Sequence, residues 1–149
     1  LGEQAVIASG LDYIIVRPSN IYGPRQTDHF VDEFIDRAKQ GDISLYGYAN
    51  TRSWCYVADF VDAFIKLIHT KEAIGEIVNI GSNDEQTALT LAEIILELMK
   101  IDKPIHKHPA PKGSANRRNP DISKITQLTG WKPTTALRDG LKLTVEASI

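Results

Sequence analysis

The sequence of 149 residues contains one cysteine, Cys55, and one methionine, Met99. A single thiol cannot form a disulfide within the chain, so nothing indicates an oxidising compartment. An excess of charge of one sign is also lacking, because 17 Lys and Arg oppose 19 Asp and Glu, for a net charge of −2. This balance provides no basic field for nucleic acid or an anionic membrane, and we expect neither as a partner.

Long apolar runs and targeting signals are absent as well. No apolar segment approaches the roughly 18 residues that a membrane-spanning helix needs, and the chain does not open with a signal-peptide pattern. Hydrophobic residues make up 42% of the sequence and charged residues 24%, which is typical of a globular protein. We therefore expect a soluble, cytoplasmic protein.

The N-terminal segment lacks a helix start signal. Leu1, Ala5 and Ala8 recur at helical spacing, but no Ser, Thr, Asp or Asn precedes them as an N-cap. Because the single methionine is Met99, the sequence also does not begin at an initiator. We interpret these features as a cut through a larger fold; processing of the N-terminus is the alternative.

Hydrophobic periodicity predicts a mixed α/β fold. The β-prone run Tyr13–Val16 has no polar alternation, which favours a strand buried on both faces of a parallel sheet. A capping box at Thr90–Glu93 predicts the start of the most regular apolar helix. Further strands are predicted at 43–46, 51–57 and 76–80, and further helices at 30–38, 59–68, 122–128 and from about 137.

Polar and basic residues near predicted strand ends are candidates for binding an anion. Asn20 follows the first strand, where ligands of open α/β sheets bind. The planar guanidinium of Arg52 can hold two adjacent phosphate groups; an exposed arginine paired with a surface carboxylate is the alternative. Arg117 and Arg118 form a second cationic site, with Lys112 as a third candidate, and the sequence does not distinguish among these three.

Several residues of reactive types are interpreted as structural. Asp59 and Asp121 stand at predicted helix starts, where a carboxylate accepts hydrogen bonds from free N–H groups. Cys55 is expected to be a small buried apolar residue and not a nucleophile. His106 and His108 would share a strand face, but no third ligand lies nearby in the sequence, and we predict no metal site.

Four motifs in order carry a resemblance to a known family: RPSNIYGPRQ at 17–26, TRSWCYVADFVDAF at 51–64, EIVNIGS at 76–82 and RRNPDISKITQLTGWKP at 117–133. Together they resemble the C-terminal half of extended short-chain dehydrogenases. These are NAD-dependent nucleotide-sugar epimerases, dehydratases and decarboxylases, and the similarity is greatest to the UDP-glucose 4-epimerase and UDP-glucuronate decarboxylase types.

The resemblance also indicates which family motifs the sequence does not contain. The family has a glycine-rich dinucleotide loop and a catalytic Tyr-x-x-x-Lys pair, and neither pattern occurs here. Glu3 resembles a Glu that follows the catalytic Lys by four residues, which would place that pair upstream of Leu1. We therefore assign no catalytic residue, expect NAD to bind only in the complete enzyme, and predict that this chain alone is inactive.

The resemblance implies substrate-binding roles for Asn20, Leu45, Tyr46, Arg52, Leu89, Arg117 and Arg118. Arg52 would contact the diphosphate together with Arg117, Arg118 or Lys112. Tyr46 would pack on the base; for Leu45 and Tyr46, a place in the strand core is the alternative. Pro18 and Asn20 would lie near the nicotinamide ring of NAD. If Arg52 and Asn20 hold the same ligand, the two side chains should line one cavity.

The fold class implied is an incomplete piece of a Rossmann-type α/β fold plus a smaller mixed α/β domain. Residues 1–29 would end the Rossmann domain, and residues 30–149 would form a substrate-binding domain interleaved with returning Rossmann elements at about 52–80. The function implied is the substrate-binding portion of a UDP-sugar epimerase or dehydratase, homodimeric when complete, with self-association expected for the piece alone. The alternative is a stand-alone, non-catalytic nucleotide-sugar-binding or assembly module.

Overall fold

The computed structural model describes residues 2–148, so the first helix-spaced residue, Leu1, lies outside the described residues. The helices are α1 Gly2–Ala8, α2 Phe30–Lys39, α3 Val57–Ile68, α4 Ala88–Leu98, α5 Ser123–Thr129 and α6 Leu137–Glu146. The strands are β1 Ile15–Pro18, β2 Ile21–Tyr22, β3 Ser44–Tyr46, β4 Thr51–Ser53, β5 Cys55–Tyr56, β6 Ile77–Ile80, β7 Glu85–Thr87, β8 His106–His108 and β9 Arg117–Arg118. None of these helices is long and apolar enough to cross a bilayer.

Short strands pair in four small sheets. β1 and β6 run parallel, with Ile15 opposite Ile77 and Pro18 opposite Ile80. β2 pairs with β5 and β3 with β8, both in parallel, and β4 lies between antiparallel β7 and parallel β9. The strand predicted at Tyr13–Val16 is not buried on both faces in this piece of the fold, because among the described residues β1 has a partner on one side and remains half-buried.

The single strand predicted at 51–57 is interrupted. It breaks at Trp54, because β4 pairs with β7 and β9 whereas β5 pairs with β2. Val57 already begins α3, so Asp59 lies inside the helix and does not cap it. The carboxylate of Asp59 instead accepts hydrogen bonds from the Thr134 hydroxyl at 3.0 Å and the Thr135 backbone N–H at 2.9 Å.

The observed ends of α5 match those predicted from its capping residues, whereas the observed start of α4 does not. Asp121 accepts a hydrogen bond from the backbone N–H of Ser123 at 2.8 Å, as predicted for the start of α5. Gly130 ends that helix with a φ of 70°, in the left-handed region. The capping box predicted at Thr90–Glu93 is wrong. Thr87 accepts from the Thr90 N–H at 3.0 Å, so the helix starts three residues earlier.

Two apolar cores hold these elements together. The first lies between α2, α4, α6 and β3, and its buried side chains include Phe34, Ile35, Leu45, Leu91, Ile95 and Leu141. The second lies between α3, α5 and β6, and it includes Ala63, Leu67, Val78, Ile80, Ile125 and Trp131. Trp131, one residue after Gly130, therefore packs at the C-terminal end of α5.

Helix α3 is apolar on two sides. Ala63 and Leu67 face the second core. Four large apolar side chains on the other side are between 41% and 52% exposed: Val61, Phe64, Ile65 and Ile68. A helix that is apolar over so wide an arc is normally covered on both sides. The exposed face of α3 is therefore a candidate surface for contact with another protein or another copy of this chain.

We expect the isolated chain to self-associate through this face of α3. In sedimentation velocity, the wild type should exceed its monomer mass of 16.5 kDa increasingly with concentration. Ile65→Lys should shift the protein towards monomer because a charged side chain would have to be desolvated in the contact. Glu72→Gln changes the net charge by the same amount at an exposed polar position and serves as the control. A wild type that stays monomeric at every concentration would contradict this expectation.

Gly140 allows α6 to approach the buried ring of Tyr22. A Cβ at this position would lie 2.1 Å from the Tyr22 hydroxyl oxygen, which donates a hydrogen bond to the Leu137 carbonyl. Gly140→Ala should therefore lower the free energy of unfolding by about 1–3 kcal/mol, the usual cost of overpacking. Thermal unfolding followed by circular dichroism measures the change. Gly2→Ala, where the added Cβ meets no atom within 4 Å, should have little effect.

Candidate functional site

The candidate site is built on β4, the central strand of its sheet. Arg52 lies opposite Gln86 of β7 and Arg118 of β9, whereas Thr51 lies opposite Thr87 and Arg117. Side chains of cross-strand partners project from the same face of a sheet. Arg52 and Arg118 therefore share one face, and Arg117 belongs to the opposite face.

Arg52 is half-buried and held by backbone carbonyls. Its Nη1 donates to the Thr51 oxygen and its Nη2 to the Ala115 oxygen, each at 2.7 Å. No carboxylate of residues 2–148 lies within 4.0 Å of the Arg52 or Arg118 guanidinium. The carbonyls orient the Arg52 side chain without neutralising its charge, so the surface-ion-pair alternative does not describe this residue.

The electrostatics of this face favour an anion. Desolvation and, after it, the neighbouring charge of Arg118 lower the pKa of Arg52. Both effects disfavour a cation in this position unless a negative charge is added. A ligand with two adjacent anionic groups would relieve the repulsion between the two guanidinium groups and could bind each of them.

The other basic candidates are placed differently. The Arg117 guanidinium forms a two-point ion pair with Glu85, with Nε–Oε1 and Nη2–Oε2 distances of 2.9 and 2.7 Å. This contact occupies Arg117 on the face away from Arg52. Lys112 is exposed in the turn before β9. Of the three residues that the sequence left open, Arg118 is the one that the sheet places beside Arg52.

Asn20 lies at the junction of β1 and β2 with a φ of 46°. Its Nδ2 donates to the Ser53 carbonyl at 2.8 Å, and its own carbonyl accepts from the Cys55 N–H at 3.0 Å. It therefore holds the chain directly after Arg52. The cavity beside Asn20 has a volume of about 70 Å³ and is also lined by Trp54, but Arg52 does not line it. The expectation that Arg52 and Asn20 line one cavity is therefore wrong for the cavity beside Asn20.

Leu45 and Tyr46 point to opposite faces of β3. Leu45 is fully buried in the first core, so its side chain presents no surface to a ligand, and its assignment to the substrate site stays a prediction. Tyr46 is 57% exposed and stacks on His108, with the ring centroids 4.7 Å apart. A flat base could extend this stack.

Two further predicted residues belong to other elements than the arginine pair. Leu89 is half-buried on α4 and lines an open cleft of about 700 Å³ together with Ile105 and Lys107. Pro18 is exposed at the carboxyl end of β1, the end of a parallel strand at which ligands of α/β sheets bind. No group of three or more side chains suited to a metal ion occurs among residues 2–148.

Sequence reasoning missed Glu85. Its carboxylate contacts Thr51, Arg117 and Asn119, which belong to distant parts of the chain. No motif or spacing signals this cluster in the sequence, because only the pairing of β4 with β7 and β9 brings its members together.

Comparison with known proteins identifies sequence relatives. A sequence model described as the NAD dependent epimerase/dehydratase family matches residues 2–81. UDP-glucuronic acid decarboxylase 6 of Arabidopsis thaliana is 37% identical over 143 residues, covering 92% of this chain and 41% of the relative. The chain therefore spans about two fifths of that relative's length.

Solved structures share the fold. UDP-glucose 4-epimerase of Thermotoga maritima, solved with UDP-glucose, superposes with a TM-score of 0.87 at 31% identity, over 98% of this chain and 48% of that one. UDP-glucuronic acid 4-epimerase of Bacillus cereus, solved with UDP-glucuronic acid and NAD, gives a TM-score of 0.80 at 26% identity, over 90% of this chain and 44% of that one. The predicted fold class, part of a Rossmann-type α/β fold, is confirmed.

The reactivity of the Cys55 thiol provides a test of the prediction that this residue is buried and not a nucleophile. Cys55 is buried, as predicted, and burial followed by the charge of Asp59 raises its pKa to about 12. At pH 9, we expect iodoacetamide to label the native protein far more slowly than the urea-unfolded protein. Because unfolding restores the ordinary thiol pKa, the free energy of unfolding should also fall as the pH rises above about 9. Equal labelling rates would contradict this burial.

Proposed function

Because the chain belongs to the NAD-dependent epimerase/dehydratase family, we propose that it forms the substrate-binding portion of an enzyme acting on a nucleotide sugar. The relatives named above act on or bind UDP-sugars, and we propose a UDP-sugar as the ligand here. Epimerisation, dehydration and decarboxylation are all family reactions, and the proposal extends to binding and not to one of these outcomes.

The pairing of Arg52 with Arg118 is the observation that carries this proposal. A nucleoside diphosphate presents two adjacent anionic groups, and two guanidinium groups on one sheet face match that charge pattern. Among residues 2–148, no carboxylate lies beside either residue, which leaves both charges for a ligand. The exposed ring of Tyr46 would stack on the base.

The proposed work of these residues is binding and orientation. Contacts to the diphosphate supply binding energy that would hold the sugar in a fixed position relative to the reacting groups. Asn20 would support that geometry by fixing the chain that follows Arg52. No proton transfer is assigned to this chain, because its sequence contains no Tyr-x-x-x-Lys pair.

NAD is the cofactor of the family; when bound, it accepts and returns a hydride. The exposed ring of Pro18, at the carboxyl end of β1, fits an apolar wall beside a flat nicotinamide. The 149 residues contain no glycine-rich loop for the pyrophosphate, so they fit one side of the cofactor and do not form its whole site.

The two apolar cores support the proposed division into domains in part. The second core contains β6 and α3 with β1 packed against it, and these would belong with the Rossmann portion, but it also contains α5, which lies outside 52–80. The first core would belong to the substrate-binding domain, although Tyr22 and Trp54 also pack in it. We also propose that the complete enzyme is a homodimer through a helix bundle that includes α1, which has exposed Val6 and Ile7 side chains.

The alternative function, a non-catalytic nucleotide-sugar-binding module, requires the same arginine pair and predicts no turnover.

Arg52→Ala should weaken UDP binding by about 1.5–3 kcal/mol, the usual contribution of a hydrogen bond to a charged group. Calorimetric titration of the protein with UDP, and with uridine as the ligand without phosphate, measures this loss. Arg138→Ala also removes an arginine, one that forms an ion pair with Glu97 between α6 and α4, and should leave UDP binding unchanged. Equal UDP affinity in Arg52→Ala and the wild type would refute the diphosphate assignment.

A further inference from the structure

Glu85 joins the three strands of the site. Its Oε1 accepts hydrogen bonds from the Thr51 hydroxyl of β4 at 2.5 Å and from Arg117 Nε of β9 at 2.9 Å. Its Oε2 accepts from Arg117 Nη2 at 2.7 Å and from the Asn119 side chain at 3.2 Å. The carboxylate therefore ties β9 to β4 on the face away from Arg52.

The register of β9 needs such a contact. This strand has two paired residues, both arginine: Arg117 opposite Thr51 and Arg118 opposite Arg52. A slip of one residue moves every side chain of a strand to the other face. With identical neighbouring side chains and no apolar residue in β9, burial alone provides little preference between the two registers. The carboxylate of Glu85 favours the observed register because it binds Arg117 and Asn119 together. If β9 shifted so that Arg118 lay opposite Thr51, Arg118 would replace Arg117 at Glu85, but Pro120, which has no side-chain donor, would replace Asn119.

We propose that Glu85 and Arg117 are positioning residues that fix the register of β9 and thereby select Arg118 as the second cation for the diphosphate. This inference rests on the proposed function for the ligand, but the register itself depends only on contacts within the chain. It assigns different roles to two adjacent arginines: Arg117 forms an ion pair within the protein, and Arg118 contacts the substrate.

The direction in which UDP affinity changes when Glu85 is neutralised distinguishes a positioning role from a purely electrostatic one. The Arg117 guanidinium and the Thr51 hydroxyl hold the pKa of Glu85 below its usual range, so Glu85 is ionised at neutral pH. A negative charge close to an anion site repels the ligand. Removing that charge without changing the register would therefore tighten UDP binding, whereas losing the register would weaken it.

Glu85→Gln should weaken UDP binding about tenfold, close to the usual size of one charged hydrogen bond, and leave uridine binding unchanged. Glu97→Gln is the control, since it also breaks a Glu–Arg ion pair, with Arg138, at a more exposed carboxylate, and should not change UDP affinity. The double variant Glu85→Gln/Arg117→Gln should be no weaker than the worse single variant, because both changes break one interaction. UDP binding that is equal or tighter in Glu85→Gln would overturn the inference.

A second measurement tests the register without any ligand. The Thr51 N–H donates to the Asn116 carbonyl at 2.9 Å, next to the β4–β9 pairing. Its amide hydrogen should exchange at least tenfold faster in Glu85→Gln and at the wild-type rate in Glu97→Gln. An unchanged exchange rate would overturn the positioning role. Faster exchange combined with no UDP binding by the wild type would refute the proposed function and leave the register role in place.

Discussion

The pairing of β4 with strands on both of its sides is the interaction on which the candidate site depends. β7 and β9 approach β4 from distant parts of the chain, and their registers decide which side chains share a face. One face then has two arginines with no carboxylate partner in the part of the chain that the structure describes, and the other has an arginine neutralised by Glu85. The backbone hydrogen bonds of this sheet therefore determine on which face each charged side chain lies, because alternate residues of a strand project to opposite sides.

Local patterns predicted the helices well and the strands less well. The apolar spacing of α2 and α6 and the glycine after α5 depend on nearby residues, so the sequence alone was sufficient. The break at Trp54 was not predictable in this way, because it arises when the chain changes pairing partners. Thr87 and Thr90 are both acceptable caps in sequence, and the choice between them depended on where β7 ends.

The same distinction applies to the site. Arg52 could be selected from its chemistry and motif, but the choice between Arg117 and Arg118 required knowledge of the β9 register. Leu45 and Tyr46 are neighbours in the same motif, and only the packing of β3 against α4 shows that the leucine is buried while the tyrosine faces solvent. Asp59 was correctly interpreted as structural, although its partners, Thr134 and Thr135, are not close in sequence.

The contact between Tyr22 and α6 has a consequence for synthesis on the ribosome. The two residues joined by the Tyr22 hydroxyl are 115 positions apart, and β1 pairs with β6 about halfway between them. Since a nascent chain emerges from its N-terminus, Tyr22 acquires this neighbour only after the 115 residues up to Leu137 have been synthesised. Until Leu137 has left the exit tunnel, the Tyr22 hydroxyl lacks the partner that it has in the folded structure, so the emergence of α6 sets the earliest moment at which this part of the protein can mature.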